Sequence, residues 1–147
     1  CNGGSEVYEV ALDGDSLRVA RRFPTGRAPY NLEVTADGRL LLATNKGEAS
    51  VSVVGLEEGR ELKRIGTTRD VTHGVVASPD GRFAFVSNEA VGATRSTVDV
   101  LDLEGRKRVA SVEVEHQAGG IDFWRMERPG LLARRCMVVT ALGERLM

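Results

Sequence analysis

Three asparagines, Asn2, Asn45 and Asn88, stand 43 residues apart, and the pair Asp37-Gly38 returns 43 residues later as Asp80-Gly81. A unit of this length, made of β-formers and turns, cannot bury its apolar faces alone and reads as one blade of a β-propeller. Three such periods nearly fill the 147 residues, whereas the smallest closed ring takes about four blades. The expected fold class is all-β, a partial β-propeller of four-stranded antiparallel blades. An open arc leaves two sheet faces without neighbours. The chain is therefore expected to be a piece of a ring or to self-associate.

Each period divides into four strands. The first covers 30–35 and 73–78, and its small and aliphatic residues Leu32, Val34, Val75 and Ala77 suit the crowded inner edge. The Asp-Gly turn follows, Asp bonding the turn backbone and Gly taking the positive φ. The second strand, 40–44 and 83–87, is apolar nearly throughout, as a strand covered on both faces should be. It ends at Asn45 or Asn88, which are expected to close the strand in a turn conformation. The third, 6–11, 50–55 and 97–102, alternates, with Val7, Val51 and Val98 as equivalents. The fourth, 16–22, 61–65 and 107–114, carries Arg18, Arg21, Lys63, Arg64, Lys107 and Arg108. Charge suits an outer edge strand, where bare backbone invites aggregation.

Residues 1–124 are thus read as blades: a partial blade at 1–22, full blades at 29–66 and 73–114, and the start of another at 119–124, where Gly120-Ile121 repeats Gly74-Val75. Residues 125–147 lack the Asp-Gly turn and the landmark Asn and form an unassigned basic tail, in which 137–142 reads as strand or helix. One irregularity interrupts the period. Asn88 to Val98 spans ten residues where Asn45 to Val51 spans six, so four extra residues lie within 89–96. Insertions in repeats map to one rim, often the binding rim, although a longer surface loop costs little free energy.

Charge is balanced, 20 Lys+Arg against 21 Asp+Glu, which gives no general basic field for nucleic acid. No apolar run approaches the roughly 18 residues of a membrane span. No signal peptide is visible at the start, as in any mature or truncated chain. Cys1 and Cys136 have neither zinc nor redox spacing and read as free thiols. Cys1 falls on the register of Thr44 and Ser87, which explains it as the small residue ending a strand better than as a lipid-bearing terminus.

The run Pro29-Tyr30-Asn31-Leu32-Glu33-Val34-Thr35-Ala36-Asp37-Gly38-Arg39-Leu40-Leu41-Leu42-Ala43-Thr44-Asn45 resembles the YVTN β-propeller repeat. The copy from His73 through Ser78-Pro79-Asp80-Gly81-Arg82-Phe83-Ala84-Phe85-Val86-Ser87-Asn88 resembles it more closely, and Val51-Ser52-Val53-Val54 and Val98-Asp99-Val100-Leu101-Asp102 are similar to its Val-Ser-Val-Ile-Asp strand. The first copy lacks the aromatic-Val step and the second lacks the Pro. The resemblance implies seven blades in a complete ring and a periplasmic or extracellular location. It is specific for fold and weak for activity, since related propellers include lactone hydrolases and carriers of redox cofactors.

Ligands of propellers meet the rim built by loops entering the first strands and loops joining second to third strands. Here those loops supply Arg27, Tyr30, Asn31, Arg69, Asp70, His73, Asn88, Arg95 and His116 as ligand-binding candidates. Tyr30 and His73 share one repeat position and are expected to be neighbours around the axis. His73, His116 and Asp70 form no close-spaced ligand pattern, so no metal is assigned. There is no G-x-S-x-G elbow and no phosphate loop, and no catalytic residue or cofactor is assigned. The expected function is a non-enzymatic binding scaffold for a protein or small molecule at the rim. A lactonase-like hydrolase acting through His73 and Arg69, or a redox-cofactor carrier, is the alternative.

Overall fold

The computed structural model describes residues 3–126 and 135–139. Among them there is no helix, and every sheet is antiparallel. The chain begins with a two-stranded sheet, β1 (Glu6–Asp13) and β2 (Ser16–Pro24). Two four-stranded meanders follow. The first holds β3 (Pro29–Val34), β4 (Leu40–Asn45), β5 (Ser50–Gly55) and β6 (Arg60–Gly66). The second holds β7 (Val71–Ala77), β8 (Phe83–Glu89), β9 (Ser96–Asp102) and β10 (Lys107–Val114). A last pair joins β11 (Ile121–Met126) to β12 (Arg135–Val139). The sheets do not close on themselves, and the fold is a partial β-propeller.

The Asp-Gly turns are built alike in both meanders. Thr35 Oγ1 donates to Asp37 Oδ1 at 2.6 Å, the same oxygen accepts the Arg39 N–H at 3.1 Å, and Gly38 sits at φ 70°. Ser78, Asp80 and Arg82 repeat this at 2.5 and 3.1 Å, with Gly81 at φ 67°. The positive φ is what demands glycine. The hydrogen bond from Thr35, then that from the Arg39 backbone, hold the Asp37 carboxyl below its ordinary value.

Sheets stack face to face through alternate apolar residues. Leu42, Val51, Val53 and Ile65 of the first meander meet Val75, Ala77, Ala84, Val86 and Leu101 of the second. Val7 and Phe23 meet Leu41, Ala43 and Val54 in the same way. Phe85 and Val98 are covered in part by Ile121 and Phe123. The second strands are almost wholly buried and the fourth strands mostly exposed, as their apolar and charged sequences require. A bulge recurs between third and fourth strands, at Glu9/Val10, Val53/Val54 and Arg108/Ala110, and adds twist to each blade.

Neighbouring blades are also stapled by a repeated hydrogen bond. Thr44 Oγ1 accepts the Asn31 N–H at 2.9 Å and donates to the His73 carbonyl of the next sheet at 2.8 Å. One period on, Ser87 Oγ accepts the Gly74 N–H at 2.9 Å and donates to the Gly119 carbonyl at 2.5 Å. Gly74 is required there, because a Cβ would lie 2.8 Å from both that carbonyl and the serine oxygen.

Two sequence expectations are corrected. Asn45 and Asn88 do not have positive φ. Both are fully buried within strands. Asn45 Nδ2 donates to Ser50 Oγ and Ser52 Oγ at 2.9 and 3.0 Å, and Asn88 Nδ2 to Thr97 Oγ1 at 3.2 Å. They pin the second strand to the third in extended backbone; Asn45 is still the last residue of β4, and β8 runs one residue past Asn88. Part of the segment left unplaced is β12, which pairs with β11. Cys1 and Asn2, residues 127–134 and residues 140–147 lie outside the described residues.

Candidate functional site at the rim

The loops before β3 and β7 and the loops after β4 and β8 gather at one end of the sheets. Lys46 N–H bonds the Ala28 carbonyl at 3.0 Å, so the turn after β4 lies against the loop entering β3. That loop is held by Glu48, whose Oε2 accepts the Arg27 N–H at 3.0 Å, while the Arg27 guanidinium donates to the Gly47 carbonyl. Burial pushes the Glu48 carboxyl up. Hydrogen bonds from Arg27 N–H and Ser50 and the charges of Arg64 and Arg27 outweigh this, and its pKa lies below the ordinary value. Arg64 bonds Glu61 at 2.8 Å and reaches Glu48 at 3.2 Å, and its own pKa is raised, chiefly by the Glu61 hydrogen bond.

The neighbours expected from repeat register are in contact. The Tyr30 and His73 rings lie 4.6 Å apart between centroids, tilted by 58°. Lys46 Nζ lies 4.6 Å from the Tyr30 ring centroid, within cation–π range. Tyr30 is 47% exposed, so the rim presents an ammonium group, a phenol and an imidazole side by side. Asn31 is exposed beside them, its backbone N–H taken by Thr44.

The remaining candidates form a second group around the inserted loop. Arg69 donates to the Arg95 carbonyl at 2.8 Å, the Thr68 carbonyl at 3.1 Å and Glu113 Oε1 at 3.1 Å. His116 Nδ1 lies 3.1 Å from the Thr94 carbonyl. Arg69 and His116 thus anchor residues 94 and 95. Exposed Asp70 borders a cavity of about 130 Å³ with Thr68, Val91 and Thr94. Asn88 is not at the open rim, since it is fully buried within its sheet with its Nδ2 bonded to Thr97 Oγ1. Among the described residues no three His, Cys, Asp or Glu side chains converge as a metal site.

Sequence reading overlooked Lys46 and Asp99. Lys46 follows the landmark Asn45 directly, which was the available signal. Asp99 is fully buried. It accepts the Thr68 N–H at 2.9 Å and the Thr68 hydroxyl at 2.8 Å, with Arg108 at 3.7 Å. Its repeat partner is Ser52, which accepts the Gly26 N–H at 3.0 Å.

No family model matches the chain, and no curated protein matches it. Solved structures do. The chain is similar to Kuenenia stuttgartiensis hydrazine synthase, a propeller-containing protein, at 27% identity and TM-score 0.67 over 76% of this chain and 31% of that one. It is also similar to a functionally unknown protein from Desulfotomaculum acetoxidans DSM 771, at 22% identity and TM-score 0.63 over 80% of this chain and 38% of that one. The chain therefore spans less than two fifths of either neighbour, and the likeness fixes a propeller-like fold. No helix among the described residues is long and apolar enough to cross a membrane.

Proposed function

We propose that the chain is a non-enzymatic propeller scaffold of the YVTN repeat type, exported from the cytoplasm, that holds a ligand at the rim. The observation that carries this reading is the Lys46–Tyr30–His73 cluster, three ligand-competent groups presented together by the turn after β4 and the first residues of β3 and β7. Its chemistry suits a flat anionic group: the ammonium group supplies charge, and the phenol and imidazole supply ring faces and hydrogen bonds. The hydrolase alternative needs Arg69 to polarise a carbonyl, but its guanidinium already serves the Arg95 and Thr68 carbonyls and Glu113. The redox alternative calls for a coloured protein.

Benzoate serves as a probe of the rim. Titration followed by the His73 ring resonances is expected to give a saturable shift that Tyr30→Ala and Lys46→Ala abolish. Turnover of a simple lactone that disappears in His73→Ala, or a visible absorption band in the purified protein, would overturn the scaffold reading.

A further inference from the structure

One position of the repeat carries a ring in two blades and no side chain in the next. Tyr30 and His73 stand 43 residues apart, near the start of β3 and β7. Gly119 holds the same position before β11, because Gly120-Ile121 repeats Gly74-Val75. The hydrogen bonds between blades bear this register out: the His73 carbonyl accepts from Thr44 Oγ1, and the Gly119 carbonyl accepts from Ser87 Oγ. The three residues therefore follow one another around the axis, with β3 and β11 both packed against β7.

Nothing local demands glycine at 119. Its φ is not positive. Apart from its chain neighbours, a Cβ there would meet within 4 Å only the His73 ring, Cε1 at 3.8 Å and Nδ1 at 3.9 Å, which is ordinary van der Waals contact. Gly74 is the opposite case, since a Cβ there would lie 2.8 Å from a backbone carbonyl and a serine oxygen. Tyr30 and His73 show that the repeat has room for a large side chain at the position of Gly119. The glycine therefore serves neither a turn nor close packing. Its effect is to leave the imidazole bare on the side away from Tyr30.

That side is shaped to continue a ladder of rings. The Tyr30 and His73 centroids are 4.6 Å apart, within the range of about 4.5–7 Å that aromatic pairs favour. A ring at the Gly119 position would stand to His73 as His73 stands to Tyr30. A ligand ring can take that place, with His73 on one side and the Gly119 backbone on the other. The backbone there is already held: Ser87 Oγ donates to the Gly119 carbonyl at 2.5 Å, and the buried Ala118 donates its N–H to Ser96 Oγ at 3.1 Å. The place is thus formed before a ligand arrives, which lowers the cost of binding. Charge comes from the other side. Lys46 lies on Tyr30, whereas Glu89 holds the equivalent position in the second blade. Lys46 draws the acid group, and Gly119 selects by shape.

We propose that Gly119 sets a preference of the rim for a planar ring: the ring of an aromatic acid takes the place beside His73 that the repeat elsewhere gives to a side chain. The inference rests on the reading of the rim as a ligand site, and it adds where the ring lies and what the site turns away.

Benzoate and cyclohexanecarboxylate carry the same charge and differ in planarity, so the pair tests the inference by nuclear magnetic resonance of the whole chain. Benzoate is expected to shift the His73 ring resonances saturably and to show nuclear Overhauser contacts with both Gly119 Hα and His73 Hε1. Cyclohexanecarboxylate is expected to bind about fivefold to tenfold more weakly, the worth of one aromatic pair. Gly119→Tyr supplies the side chain that the other blades carry. Without ligand, this variant is expected to keep the circular dichroism of the parent and to move His73 Hε1 upfield, and it should no longer take up benzoate. The contacts in the parent chain need no variant and decide the matter if Gly119→Tyr does not fold. No saturable shift with benzoate would overturn the rim reading and this inference with it. A shift without contacts to Gly119, equal affinity for the two acids, a His73 resonance left in place by Gly119→Tyr, or benzoate binding that survives in the folded variant would overturn this inference alone.

Discussion

The two complete blades, β3 to β6 and β7 to β10, were written from one template and diverge in one place. Their turns, second strands and staples superimpose residue for residue in the sequence. Their rims do not. In the first blade the loop into β3 is held by Ser52, with Gly26 pressed so close that a Cβ would lie 2.3 Å from Glu48 and 2.5 Å from Asn45. In the second blade Asp99 replaces Ser52, Arg69 replaces Gly26, and a longer loop after β8 is tied down by Arg69 and His116. Positions between sheets answer to packing and are repeated. Positions at the rim answer to solvent and are free to differ, which is where a binding preference can be built.

That contrast makes paired substitutions informative. Asp99→Ala strands the Thr68 N–H and leaves Arg108 without its partner, and a loss of about 3 kcal/mol is expected in urea unfolding. Ser52→Ala, at the equivalent place, removes neutral hydrogen bonds and is expected to cost about 1 kcal/mol. Equal losses would show that the two rims are anchored alike after all. Thr44→Val and Ser87→Ala each remove one staple, and about 1 kcal/mol is expected for each. Amide hydrogen exchange should quicken at the junction of the altered pair and remain slow at the other; a uniform change would mean that the blades open as one.

The smallest effect concerns pH and belongs to the first blade. Glu48 has a folded pKa below its ordinary value of 4.5. The unfolded chain therefore binds its proton first as pH falls. Its stabilisation is present above the unfolded value and is lost as pH drops through the folded one. Glu48→Gln is expected to flatten the fall of the urea midpoint below about pH 5. An unchanged slope would assign that fall to other carboxylates.

Most of the fold could be read from the letters because its signals are local. An Asp-Gly pair needs only its own turn, and the strands read from an apolar run at 40–44 and from alternation at 50–55 and 97–102 match β4, β5 and β9 closely. Tyr30 against His73 followed from register alone. What escaped depends on contacts across sheets. The burial of Asn45 and Asn88 needs hydroxyls on the adjoining strand, and the commitment of Arg69 to two carbonyls and Glu113 needs a loop 26 residues away in sequence and a strand 44 away. β12 escaped because it lacks the turn that marks its counterparts, so only pairing with β11 reveals it.

The hydroxyl staple has a direction. Thr44 gives its proton forward to the sheet that follows, and Ser87 does the same. An arc assembled this way has a giving end and a receiving end, so two identical ends have nothing to exchange. Any addition to it must travel in the same sense around the axis as the chain itself.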